Sequence, residues 1–274
     1  MNPEAVSLAP PVAPVLERMA IDQLMLYARD IKRLLDSERR KTQTLAAAYQ
    51  QLQILAVDLK TAYVTEQRRS RELEHAYADT VRRLTRAARY KDQETGAHVR
   101  RLSHYVFTLA MHVGLSRKEA QLLFTAAPMH DVGKIGIADQ ILCKPGPLNS
   151  REWKIMQRHA ALGASLLQGS ASALLEMARQ IALTHHERWD GSGYPQGLRG
   201  EEIPLVGRLV ALMDVYDALR SRRPYKPAWE HAETCIVILE GDGRTQPEHF
   251  DPRLLAAFRE LHEEFAAIYT RFRD

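Results

Sequence analysis

Cysteine is nearly absent from this chain of 274 residues. Cys143 and Cys235 lie far apart with no CxxC spacing. That excludes a disulfide scaffold and a thiolate zinc site, and suits a reducing compartment, so a cytoplasmic protein is expected. Long hydrophobic runs are missing as well. Nothing approaches the roughly 18 apolar residues of a membrane span, and the opening Met1-Asn2-Pro3-Glu4 lacks the basic stretch of a secretory signal. Strand signals are missing too, because no alternating run of Val, Ile, Thr and aromatics is bounded by tight-turn residues. Neither sign of charge dominates. With 38 Lys+Arg against 34 Asp+Glu the net charge is +4, which accommodates an anionic ligand without pointing to nucleic acid.

What is present is helical. Four prolines in the first fifteen residues (Pro3, Pro10, Pro11, Pro14) predict an unfolded lead-in over 1–18. Between Ile21 and Tyr90 there is no proline and no glycine, as a long helix requires. One seam reads Leu24, Ile31, Glu38, Leu45, Leu52, Leu59, Glu66, Leu73; the other reads Tyr27, Leu34, Lys41, Ala48, Leu55, Ala62, Arg69, Ala76. Steps of three and four residues place both on one stripe, the pattern of a coiled coil. The polar layers Glu38/Lys41 and Glu66/Arg69 weaken such a coil and fix its register. A homodimer through residues 19–85 is therefore expected, followed by a second domain over 86–274.

In that second part, helical stretches over 99–114, 117–131, 152–167, 173–187 and 208–219 alternate with short turns. A glycine-rich loop follows over 189–204. The last helix opens with Asp251 as N-cap and Pro252 in its first turn. The fold class read from this is all-α, with one conspicuous loop.

Histidines and carboxylates fall into blocks. Glu94 and His98 are four apart and share a helix face. His130 and Asp131 are adjacent, His159 lies on the next helix, His185 and His186 are adjacent just before the loop, and Asp214 sits among Leu209, Val210, Leu212 and Met213. Successive blocks lie roughly thirty residues apart, one helix and a connection each, so different helices of one bundle can aim them inward as a multi-metal site. Singly each histidine is a satisfied core or surface residue; together with an aspartate in an apolar helix they are not. His75, His104, His112, His231, His249 and His262 stand in solvent-type contexts and are assigned no role.

The segments Glu94-Thr95-Gly96-Ala97-His98, Met129-His130-Asp131-Val132-Gly133-Lys134-Ile135-Gly136 and His185-His186-Glu187-Arg188-Trp189-Asp190-Gly191-Ser192-Gly193-Tyr194-Pro195 resemble the signatures of the HD-GYP domain, a subgroup of the HD phosphohydrolase superfamily. The likeness continues through Gly197–Gly200, Ile203-Pro204, 214–219 and 222–226, and covers roughly residues 80–260. It implies a helical bundle of the HD-domain type and hydrolysis of cyclic di-GMP to pGpG, a product that many members carry on to GMP. It also implies two or three divalent transition metals, commonly iron or manganese.

The ligands implied are His130, Asp131 as bridge, His159, His185, His186 and Asp214. Glu94 and His98 imply a third metal, so three are favoured over two. Lys134 matches the lysine at the scissile phosphate, Arg223 and Lys226 match phosphate-gripping residues, and Tyr194 looks like part of the substrate wall. Paired metals suit this chemistry, since they polarise the phosphate and turn a bridging water into hydroxide that attacks phosphorus. Two rival expectations are a phosphodiesterase preferring another cyclic dinucleotide such as cyclic GMP-AMP, and a non-catalytic receptor relaying cyclic di-GMP to a protein partner at the Gly-Tyr-Pro loop.

Overall fold

The computed structural model describes residues 13–91, 96–221 and 228–273, and it divides into two compact units, Met1–Glu72 and Leu73–Asp274. Every regular element among the described residues is helical. Among them no helix is long and apolar enough to cross a membrane. Glu94, Arg223 and Lys226 lie outside the described residues.

Helix α1 (Ala13–Lys91) begins ahead of the boundary at 19 drawn from the prolines. Pro14 in a first turn is compatible with a helix, because the amide it lacks has no intrahelical partner there. Along α1 the seam side chains are uncovered: Leu24, Leu45, Leu52 and Leu59 are all more than three-fifths exposed. In the polar layer, Lys41 Nζ meets Glu38 Oε1 of its own helix at 2.9 Å.

The second unit is built on α2 (Gly96–His112), α3 (Arg117–Ala126), α4 (Asp139–Leu142), α5 (Ser150–Met156), α6 (Arg158–Leu167), α7 (Ala173–Thr184), α8 (Leu205–Arg220), α9 (His231–Glu240) and α10 (Pro252–Arg271). Helix α2 packs against α3, α8 and α10, and α7 packs against α3, α6 and α8. The core is the apolar face each turns inward: Leu102, Tyr105 and Leu109 of α2, Leu123 of α3, Ile181 of α7, Leu209, Met213 and Tyr216 of α8, Phe258 and Phe265 of α10. Tyr105 meets Tyr216 edge-on at 5.3 Å, an arrangement that aromatic quadrupoles favour.

The local chemistry of the termini is readable. Ser116 and Glu119 form a capping box on α3, as do Asn149 and Glu152 on α5. Asp251 accepts from the Arg253 amide at 2.8 Å, as expected of an N-cap, and also takes Arg208 Nη1 of α8 at 2.6 Å.

Three expectations change. The helix read over 117–131 stops at Ala126, because Pro128 forces a tighter turn over Ala127–Met129. The one read over 152–167 is two helices meeting at Gln157. Helix α9 was not foreseen. Its run Cys235-Ile236-Val237-Ile238-Leu239 is unbroken and rich in β-branched residues, so it carries no helical beat.

Candidate metal centre

Three rings of the centre are oriented by their own stretches of backbone. His130 Nδ1 lies 3.0 Å from the Ala127 carbonyl and His159 Nδ1 lies 2.8 Å from that of Met156. His185 Nδ1 lies 3.1 Å from the carbonyls of Ile181 and Ala182. A carbonyl only accepts, so Nδ1 carries the hydrogen in all three rings and Nε2 presents a lone pair. Those lone pairs converge: His159 Nε2 and His185 Nε2 are 3.4 Å apart.

Asp131 sits between two donor sets. Its Oδ1 faces His159 Nε2 at 3.1 Å and His185 Nε2 at 3.6 Å. Its Oδ2 faces His130 Nε2 at 3.2 Å and Lys134 Nζ at 2.5 Å. Oδ1 is buried without an aligned hydrogen bond, because the imidazole nitrogens that face it are lone pairs rather than N–H donors. Burial opposes ionisation of Asp131, yet the Lys134 ammonium beside it outweighs burial and holds the carboxyl well below the usual range. Burial likewise lowers His185, and lowers His186 strongly, which keeps both rings neutral.

Two groups result. Asp131, His159, His185 and His186 each offer a ligand atom within 4.8 Å of the others, as do His98, His130 and Asp214. In the second group, His98 Nε2 is 3.6 Å and His130 Nε2 4.0 Å from Asp214 Oδ1. Asp214, expected to be buried, keeps 19% of its side chain exposed, as a residue facing a site rather than the core would. Carboxylate oxygens and imidazole nitrogens converging in two such groups fit a divalent metal site.

Sequence offers Asp217, one turn from Asp214, either as a carboxylate that orients a ring N–H or as one that only holds the loop. The structure shows the former: Asp217 accepts His98 Nδ1 at 2.8 Å and the fork of Arg101 at 2.6 and 2.8 Å. Burial opposes its ionisation, but hydrogen bonds from Arg101 and His98 bring it down to about 2. Carboxylates that orient a metal-facing ring in this way are a recurring partner of such centres. Gly133 is required by proximity: a Cβ there would stand 1.9 Å from the His159 carbonyl and 2.4 Å from the Gly163 nitrogen. Only glycine lets the turn Val132–Gly136 press onto the helix that carries His159.

The loop over 189–204 is tied to the centre by Glu187, whose two oxygens accept the amides of Gln196 at 2.7 Å and Leu198 at 3.0 Å. Tyr194 stacks on His186 at 4.7 Å and meets Trp153 edge-on at 6.1 Å. Of the residues singled out from sequence, the structure thus gathers His98, His130, Asp131, Lys134, His159, His185, His186, Tyr194 and Asp214. Sequence reading overlooked Arg101, Glu187 and the helix contact of Gly133. Of these only Glu187 carried a signal, its place directly after the paired histidines.

A helical bundle whose facing helices aim imidazoles and carboxylates at a common point defines a metal-binding helical protein. More particularly, the chain belongs to the HD domain family, whose sequence model matches residues 82–254. Among curated relatives, a cyclic di-GMP phosphodiesterase of Vibrio cholerae serotype O1 is 46% identical over 204 residues, 70% of this chain and 41% of that protein. A 3′3′-cGAMP-specific phosphodiesterase 2 of the same organism is 43% identical, over 72% of this chain and 37% of that protein. A cyclic di-GMP phosphodiesterase of Thermotoga maritima is 41% identical, over 70% and 51%. The chain thus spans about two fifths to one half of the length of these relatives. The fold resembles the crystal structure of a cyclic GMP-AMP-specific phosphodiesterase of V. cholerae, with a TM-score of 0.50, 20% identity, and coverage of 72% of this chain and 51% of that one.

Proposed function

We propose that the protein is a metal-dependent phosphodiesterase that opens cyclic di-GMP to linear pGpG. The observation that carries this reading is the placement of Asp131, whose two oxygens face separate sets of imidazole lone pairs. His98, His130 and Asp214 would hold one ion, and Asp131, His159, His185 and His186 another, with Asp131 shared. The third ion favoured from the sequence depends on Glu94 beside His98. Iron or manganese suits this all-nitrogen-and-oxygen set.

Bound there, divalent ions supply Lewis acidity toward phosphate oxygens and acidify water near neutral pH. The chain's own groups do the remainder. Lys134, held beside Asp131, places a cation where charge develops on phosphate oxygens or the leaving 3′-oxygen. Tyr194, stacked on His186 and backed by Trp153, offers an aromatic face to a nucleobase. Arg223 and Lys226 are assigned to the ligand's phosphates.

Protein reconstituted anaerobically with Fe(II) or Mn(II) is expected to linearise cyclic di-GMP, with product followed by chromatography. The Asp131→Ala variant is expected to lose at least ~10³-fold in rate, since the shared ligand carries both donor sets. Binding without cleavage by the reconstituted protein would instead make it a receptor acting through a protein partner at the Gly-Tyr-Pro loop. A cyclic GMP-AMP preference, which the 43% identical relative's name raises, is read from the ratio of kcat/KM for the two substrates. The reading is completed by a cytoplasmic location and a homodimer through residues 19–85, with the catalytic domain over 86–274.

A further inference from the structure

Sequence assigns no role to His231, Cys235 and His262, and the wide separation of the two cysteines excludes a thiolate zinc site on spacing alone. The structure brings the three together at the joint between α9 and α10. His231 and Cys235 are one turn apart on α9, and His262 faces them from α10. His231 Nε2 lies 3.1 Å from His262 Nδ1, and Cys235 Sγ lies 3.7 Å from His231 Nε2. All three donor atoms fall within 4.8 Å of one another, and all three residues are partly buried.

We infer that His231 Nε2, Cys235 Sγ and His262 Nδ1 form a separate zinc site that clamps α9 to α10. Zinc–nitrogen bonds of about 2.0–2.1 Å and zinc–sulfur bonds of about 2.3 Å give tetrahedral N···N and N···S edges of roughly 3.3 and 3.6 Å. The N···N edge and the N···S edge to His231 Nε2 lie close to these values; Sγ also lies 3.8 Å from His231 Nδ1, so on binding the thiol swings toward the Nε2 side of the ring. The ring of His231 is already held: its Nδ1 pairs with the hydroxyl of the fully buried Tyr216 at 3.0 Å, so Nε2 is the nitrogen turned toward His262. Tyr216 belongs to α8, the helix of Asp214, so the clamp braces the wall behind the catalytic carboxylate.

Glu263, with Oε1 3.6 Å from His262 Nδ1, or a water completes the fourth position. On binding, the Cys235 S–H bond breaks, its proton passes to solvent, and the sulfur lone pair forms the metal bond. A mixed thiolate and imidazole set prefers zinc to magnesium or calcium.

Cobalt(II) separates this site from the catalytic one, because only a thiolate ligand gives sulfur-to-cobalt charge-transfer absorption in the near ultraviolet. Full-length Cys143→Ser protein, stripped with chelator and titrated with Co(II), is expected to develop that band to one equivalent per chain. Zn(II) should then bleach it. Cys235→Ser protein, shown folded by circular dichroism, should develop none. In His262→Gln protein with Cys235 intact, the half-saturating Co(II) concentration should rise by roughly tenfold or more. A Cys143→Ser protein without the band, a band surviving Cys235→Ser, or His262→Gln titrating as the parent would each overturn the site.

Discussion

At the scale of single residues, the centre depends on which nitrogen of each ring carries hydrogen. Backbone carbonyls take Nδ1–H of His130, His159 and His185, so the lone pairs point at Asp131 without any contribution from the metals. His98 is the exception, because its Nδ1 is held by a side chain, Asp217, itself held by Arg101. Arg101 and Asp217 are both fully buried. Removing one partner therefore strands a charge, and Arg101→Met is expected to cost about 3–5 kcal/mol. A lower urea midpoint at unchanged m-value measures it. The double variant Arg101→Met/Asp217→Leu should regain most of that loss, since no charge is left buried. If it is no more stable than the single variant, the pair does not act as a buried ion couple.

At the scale of elements, the same contrast shows how much could be read in advance. His130-Asp131 and His185-His186 were legible as candidates because adjacent donors mark a short segment, and Asp214 because an aspartate interrupts an apolar helix; His159 was read from its spacing to them. Arg101 and Asp217 are 116 positions apart, and an arginine on α2 reads as part of a solvated face until the fold buries it. Helix α9 was illegible for a different reason: an apolar β-branched run fits strand and helix alike, and packing decides. His231 and His262 passed for surface residues because their meeting depends on that helix.

The loop over 189–204 lies between these cases. Its glycines announced it, but its anchor is Glu187, which holds two loop amides at once. Glu187→Gln offers one oxygen where two are needed and turns an amide group toward an N–H. The Gln196 and Leu198 amides are then expected to exchange hydrogen about tenfold to hundredfold faster, corresponding to about 1–3 kcal/mol. Unchanged protection by mass spectrometry would show that the loop is held elsewhere.

At the scale of the whole molecule, α1 poses the largest unanswered burial. Leu24, Leu45, Leu52 and Leu59 leave between 63% and 71% of their surface to solvent in the single chain, although they recur with the heptad step of a coiled-coil seam. A monomer gains nothing from that regularity, whereas a second copy covers it with the same sequence and closed symmetry. In the proposed dimer the polar layer would weaken this association without abolishing it, because Glu38 and Lys41 already pair within one helix.

Light scattering of the full chain should accordingly give twice the monomer mass. Leu52→Glu/Leu55→Glu places like charges opposite each other at the seam and should shift the chain to monomer. Metal content should be unchanged, because Asp131 and its imidazoles lie in the other compact unit. A full-length chain that is monomeric at tens of micromolar, or a seam variant that stays dimeric, would mean that the exposed stripe serves something other than a second copy of itself.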